Sequence, residues 1–222
     1  MSYHWDWQVF FLDNGGGVTY FEWMMSAWGW TIAVSLCSLV VAIFAGSVVG
    51  IIRTVPHRGL AFIGHAWTEL FRNIPLLVQI FVWYHVIPAF VPVMKSLPSI
   101  ILVILALGLF TSARISEQVR AGIQSLPRGQ SHAGLALGFT LPQTYRYVLL
   151  PMAMRIILPP LTSESMSIVK NSAVAFAVSI AELTMFAMQA QEETSRGIEI
   201  YLAVTALYFI TAWALSRFGI NL

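Results

Sequence analysis

Charge is what this sequence has least of. Only 10% of its 222 residues are Asp, Glu, Lys or Arg, against about 25% in ordinary soluble domains. With 58% hydrophobic residues and a mean hydropathy of +0.75, disorder is excluded, and a water-soluble domain could not cover so much apolar surface. Cysteine is nearly absent too. The one thiol, Cys37, lies inside an apolar run, which excludes a disulfide framework and a thiolate metal site. The net charge is only +2 and the basic residues are scattered, so nothing marks a nucleic-acid partner. There is no His-Glu-x-x-His, no nucleophile elbow and no P-loop, and His4, His57, His65, His85 and His132 lack metal spacing. The chain therefore has no equipment for hydrolysing ATP and no metal motif. What it has in abundance is long apolar runs, and these make it an integral membrane protein.

A helix crossing a hydrocarbon core of about 30 Å needs about 20 mostly apolar residues. No charge occurs between Glu22 and Arg53, Arg72 and Lys95, Lys95 and Arg114, or Glu199 and Arg217. Each gap marks a span. The second, about Phe71 to Val93, is broken by Pro75 and Pro88. Leu149 to Ala190 is apolar but carries Arg155, Glu164, Lys170 and a Pro159-Pro160 pair. It reads as one kinked span followed by a shorter helix near the membrane surface. The expectation is one transmembrane domain, 1–222, with spans at 27–52, 71–93, 97–119, 149–172 and 199–220.

Asp6 and Asp13 precede the first span with no basic segment, which argues against a cleavable signal peptide. Arg53 and Arg58 follow the first span, and Arg120, Arg128 and Arg146 bracket the segment after the third. The positive-inside rule places both segments in the cytoplasm. Five spans then put the N-terminus outside and the C-terminus inside. Asp6, Asp13, Glu22, Glu182, Glu192, Glu193 and Glu199 all fall on the outer side of that topology. Trp5, Trp7, Trp23, Trp28 and Trp30 crowd the outer end of span one, as an aromatic belt does.

The segment 122–151 is the longest between spans and is not low-complexity. Short helical pieces are expected at Gln130–Leu137 and Pro142–Leu149. Gly138 suits a left-handed C-cap, Pro142 a first-turn proline, and Thr140 a cap. The resulting helix–Gly–helix elbow has two readings by periodicity alone, a preformed cytoplasmic knob or an ordinary amphipathic helix.

Motifs decide between them. His132-Ala133-Gly134, three residues, Gly138, nine residues, then Val148-Leu149-Leu150-Pro151 resembles the EAA loop of bacterial ABC importer permeases, Glu-Ala-Ala-x3-Gly-x9-Ile-x-Leu-Pro. His132 stands where the family has Glu, Gly134 where it has the second Ala, and Val148 where it has Ile. The runs Glu69–Gln79, Glu117–Ser125 and Val169–Ala173 resemble the polar amino-acid permeases of the histidine, glutamate and arginine type. Trp5-Asp6-Trp7 and Ala113-Arg114-Ile115 look most like the glutamate/aspartate subunit of that family. The resemblance spans about residues 5 to 216; family members usually continue past the last span into a basic tail, where this chain ends at Leu222.

The resemblance implies an all-α membrane protein of the type I ABC importer permease fold, located in the bacterial cytoplasmic (inner) membrane. It implies a second permease subunit, similar or identical, a dimer of ABC ATPase subunits and an extracytoplasmic amino-acid-binding protein. No cofactor is expected in this chain, since ATP and Mg2+ belong to the ATPase. The elbow residues Gly129, Gln130, His132, Ala133, Gly134, Gly138, Leu150 and Pro151 are the expected ATPase coupling set. The acids on the outer side are expected to face the binding protein.

Charges inside spans are costly and usually face a cavity or a partner. Arg114, Glu117 and Arg120 stand at i, i+3 and i+6, so Glu117 is placed to pair with either arginine. Many family members carry an uncharged residue at the Arg114 position, and the arginine favours an acidic cargo whose carboxylate its planar fork would hold. Glu164 and Lys170 are six residues apart and do not share a helix face. Glu164 is a candidate for the cargo ammonium, and Lys170-Asn171-Ser172 for closing the pathway. Arg72 or Asn73 is expected to satisfy carbonyls freed by Pro75; Arg72 and Gln79 are further pathway candidates. The expected function is a permease subunit for polar, acidic amino acids and not an enzyme. The alternative is a channel or secondary transporter without an ATPase, which would leave the EAA-like elbow unexplained.

Overall fold

The computed structural model describes residues 3–220, with side chains as far as Arg217. Its spine is a parallel pair, α1 (Tyr20–Ile52) and α5 (Ser99–Gln124), in register from Val41 against Gly108 to Gly50 against Val119. Helix α1 starts where Thr19 Oγ1 accepts from Glu22 N (3.2 Å) and the Glu22 carboxylate accepts from Thr19 N (2.9 Å), a reciprocal cap. Glycines let the two backbones meet. A Cβ on Gly46 would stand 2.7 Å from Ile115 Cβ and 2.9 Å from the Ser112 carbonyl oxygen, and one on Gly50 2.6 Å from Val119 Cβ. Without a hydrophobic drive between helices in lipid, such close backbone packing is a main source of association. The pair is packed backbone to backbone along its length.

Between them run α2 (Arg58–Asn73), α3 (Leu76–Phe81), a π turn (Val82–Val86) and α4 (Ile87–Phe90). Phe71, the expected start of the second span, lies inside α2. This full amphipathic helix precedes Leu76–Phe90, and the chain bends by 103° between the two parts. Pro75 forces Ile74 into an extended conformation (φ −100°, ψ 129°). Gln79 Nε2 donates to Phe71 O (2.7 Å) and Ile74 O (2.8 Å), so Gln79 rather than Arg72 or Asn73 satisfies the carbonyls at the break. Pro88 breaks nothing, because it falls in the first turn of α4, where a missing N–H is tolerated.

After α5 come α6 (Arg128–Ala136) and α7 (Leu141–Thr144), which continues through a π turn (Tyr145–Leu149) into α8 (Leu150–Ser172). A 3-10 turn (Ala173–Val178), α9 (Leu183–Thr194) and α10 (Gly197–Ile220) complete the chain. Among the described residues three helices are long and apolar enough to cross a bilayer, giving three spans, or up to five if each of two bent pairs is one span. The second helical piece expected in the loop, Pro142–Leu149, is thus no separate helix; it is the root of α8.

Two of the acids expected to face outward are turned inward instead. Glu182 is fully buried and caps α9, accepting from Thr184 N (2.8 Å), Met185 N (2.9 Å) and Tyr208 Oη (2.7 Å). Glu199 is also fully buried, accepting from Asp6 N (2.8 Å) and from the Tyr3 hydroxyl. That last bond holds the Tyr3 phenol above its usual pKa. These bonds tie the N-terminal arm to the α9–α10 corner, where Arg196 also meets Asp6 at 3.5 Å. A buried carboxylate needs such partners, so neither acid is free for another protein.

Candidate functional site

Halfway along the bundle, α5 and α8 bring three polar side chains together. Arg114 Nε lies 3.0 Å from Glu164 Oε2, and Gln118 Nε2 donates to Glu164 Oε1 at 3.1 Å. Glu164 is 9% exposed. The ion pair is not a finished one. Arg114 Nε and Glu164 Oε2 face each other without hydrogen-bond geometry, and Arg114 Nη2 and Gln118 Oε1 are buried without a hydrogen-bond partner among the described residues. Phe110 lies under the guanidinium, 5.4 Å from ring centroid to Arg114 Cζ, within cation–π range. Donors, an acceptor and a carboxylate with spare capacity in one place suit a ligand carrying both an anionic and a cationic group.

Nearer the elbow end of α5 is a second cluster. Arg53, 6% exposed, ends α1 and donates from Nη1 to Thr68 Oγ1 and Ser116 Oγ, both 3.1 Å, and from Nη2 to Glu117 Oε1 at 2.8 Å. Glu117 also takes Arg120 at 2.9 Å, with Arg72 at 3.9 Å. Glu117 thus pairs with Arg120 as expected, and with Arg53, whereas Arg114 turns to Glu164. The cluster staples α1, α2 and α5 together. It is structural, with both Arg53 terminal nitrogens in use and only Arg53 Nε buried without a hydrogen-bond partner among the described residues, while Arg72 and Arg120 keep part of their surface open.

The remaining expected pathway residues spread out. Lys170 is exposed, with no ion pair among the described residues; Asn171 is half-buried, and Ser172 is buried with its hydroxyl donating to Val169 O at 2.7 Å. Gln79 is buried at the Pro75 break with its donor in use. Sequence reasoning missed Arg53, read there only as a topological marker, and Gln118. The latter lies one turn beyond Arg114 on the same face, the i, i+4 spacing that could have found it.

The elbow has the expected turn. Gly138 adopts φ +86°, left-handed backbone that favours glycine, and Gln143 Oε1 accepts from Thr140 N at 2.8 Å. Gly134 packs on Thr144, where a Cβ would stand 2.8 Å from Thr144 Cγ2. Thr144 is fully buried, so the position of the family alanine has no room here for a Cβ. Gly134→Ala should lower the melting temperature of the purified protein, since overpacking costs about 1–3 kcal/mol. Adding Thr144→Ser should restore it; a neutral Gly134→Ala would remove this contact from the account. Gly129, Gln130, His132 and Ala133 lie along α6, with His132 and Ala133 exposed, and Leu150 and Pro151 open α8.

Comparison with known proteins bears on the family and the fold. The family described as binding-protein-dependent transport system inner membrane component matches residues 38–219. The chain is 46% identical over 221 residues to the glutamate/aspartate import permease protein GltJ of Escherichia coli K12, covering 95% of this chain and 90% of that one. It is 32% identical over 201 residues to the probable glutamine ABC transporter permease protein GlnM of Bacillus subtilis, with 90% and 91% covered. A solved amino acid ABC transporter with histidines superposes with a TM-score of 0.79 at 27% identity, covering 95% and 97%. These matches remove the ATPase-independent reading. The chain belongs to the binding-protein-dependent transport system inner membrane components, as a multi-pass inner-membrane permease subunit of an ABC importer whose ATP hydrolysis falls to a partner ATPase.

Proposed function

We propose that this chain forms half of the pathway by which an ATP-driven importer moves acidic amino acids, glutamate and aspartate, across the inner membrane. The observation that carries the reading is the unfinished Arg114–Glu164 pair with Gln118 beside it. An α-amino acid brings a carboxylate and an ammonium, the two groups that each side of the pair lacks. The cargo carboxylate takes the Arg114 fork, and its ammonium takes Glu164 Oε2 and Gln118 Oε1. The internal pair thus keeps the site neutral when empty, and cargo replaces it group for group. The 46% identity to a glutamate/aspartate permease supports the acidic cargo. Arg72 and Arg120, the open arginines toward the elbow, offer the second carboxylate a further foothold, and Lys170-Asn171-Ser172 border the path on the other side.

The fold supports a lever. Arg114 sits on α5, which is locked to α1 through Gly46 and Gly50. Glu164 sits on α8, which is continuous with the elbow. Helix α8 meets α5 closely where Gly122 faces Ile157, a Cβ there standing 2.5 Å from Ile157 Cγ1. Elbow and Glu164 lie on opposite sides of that contact. Closure of an ATPase dimer pulls the elbow, rotates α8 about the contact and parts Glu164 from Arg114, with the N-terminus outside and the C-terminus inside. A second permease, similar or identical, supplies the other half, and an extracytoplasmic binding protein delivers cargo. The test is uptake by vesicles holding the chain with its partner permease, ATPase and binding protein. Glutamate should enter with ATP and arginine should not; preferential arginine uptake would overturn the acidic reading.

A further inference from the structure

The tip of the elbow is apolar. Leu137 is 77% exposed, Tyr147 59%, Leu135 47% and Phe139 36%. The left-handed turn at Gly138 sets Leu137 and Phe139 on either side of a chain reversal, and the Phe139 and Tyr147 rings lie 6.2 Å apart. Around this tip the charge is of one sign. Arg128, His132 and Arg146 are exposed, with Arg146 Cζ 5.5 Å over the Tyr147 ring. No Asp or Glu occurs between Glu117 and Glu164, and neither Arg128 nor Arg146 has a carboxylate partner among the described residues. The positive-inside rule accounts for arginines but not for the missing acids, which it scarcely weighs.

An apolar centre with a polar rim is the anatomy of a protein interface. A lipid-bound segment instead lays an apolar stripe along several turns of one helix. Helix α6 has nine residues, and the exposed apolar side chains gather at the reversal, where Gly134 packs on Thr144. Side chains standing out from a short reversal fit a groove better than a flat bilayer surface. Resting on the reading that this elbow meets the ATPase, we propose that the receiving groove has an apolar floor filled by Leu137 and Phe139 and a rim of carboxylates facing Arg128, His132 and Arg146. Where the family loop presents Glu, His132 can never be an anion. An ATPase groove that offers a cation to that Glu would therefore repel this elbow, so the charge selects the partner.

The experiment measures retention of the ATPase subunit on the tagged permease in vesicles, at low and high salt, with the other importer components present. Arg128→Glu combined with Arg146→Glu should lower retention at low salt by at least about tenfold, as like charges meeting across an interface do. Arg128→Lys combined with Arg146→Lys should keep it, and wild-type retention should weaken as salt rises. Leu137→Ser should lower retention at any salt. Unchanged or tighter binding by the double Glu variant overturns the acidic groove, and if Leu137→Ser still weakens binding the elbow remains the ATPase contact. Insensitivity to both changes overturns the groove and the elbow reading together. A loss confined to vesicles containing anionic phosphatidylglycerol, and absent in neutral phosphatidylcholine, assigns the basic rim to lipid and also overturns the proposal.

Discussion

Arg114→Ala should lower ATP-driven glutamate uptake by at least about tenfold, because a hydrogen bond to a charged group contributes about 1.5–3 kcal/mol and 1.4 kcal/mol is a factor of ten. The guanidinium is the group on α5 with a buried donor to spare, Nη2, and with Nε held only by the Glu164 ion pair. Removing it also strips a largely buried carboxylate of its ion partner, and a stranded buried charge is destabilising in itself. Two companions separate these effects. Arg114→Lys keeps the charge beside Glu164 but loses the planar fork, so the protein should melt near the wild-type temperature while uptake falls. Glu164→Gln keeps the fork and removes the counter-charge for the cargo ammonium, so uptake should fall with little change in folding. Unchanged glutamate uptake by Arg114→Ala would remove Arg114 from the pathway.

Gly46→Val should have the second large effect, on the folded state rather than on cargo. Its first carbon alone would meet Ile115 Cβ at 2.7 Å and the Ser112 carbonyl at 2.9 Å. Ile115 is fully buried, and carbonyl oxygen on a packed helix cannot step aside. The helices must separate, at a cost of about 1–3 kcal/mol or more for overpacking, and with them the Arg53 staple to Ser116 and Glu117 loosens. The measurement is the yield and melting temperature of the purified permease, with Ile115→Ala added in the same chain as a suppressor. A Gly46→Val protein that melts with the wild type would show that α1 and α5 are not the closely packed pair described above.

The parts of this fold that were legible in the sequence are those in which one physical requirement acts alone. Helices α1, α5 and α10 each need an uninterrupted apolar run, and absence of charge found all three. The left-handed Gly138 was legible because few other residues take that backbone. Helix α2 was not found, since Arg58, His65, Glu69 and Arg72 on its polar arc ended the charge-free window, although the 3.6-residue pattern was there to be read. The inward turn of Glu182 and Glu199 had no local signal, because burial depends on Tyr208, Tyr3 and Asp6 far along the chain. Arg114 and Glu164 were each recognised as intramembrane charges. That they meet, and that Glu117 turns to Arg53, are facts of packing between helices. The continuity of elbow and α8 rests on a π turn that leaves no mark in composition.

The lever is tested most directly by distance. With the exposed Cys37 replaced by Ser, spin labels at Ala121 on α5 and Ser163 on α8, both exposed, report one separation in the assembled importer. Labels at Ala121 and Val48, the latter exposed on α1, report the other. Trapping the ATPase with ATP should shift the α5–α8 distance and leave the α1–α5 distance unchanged. Equal shifts in both, or no shift in either, would contradict a rotating α8 working against a fixed α1–α5 pair.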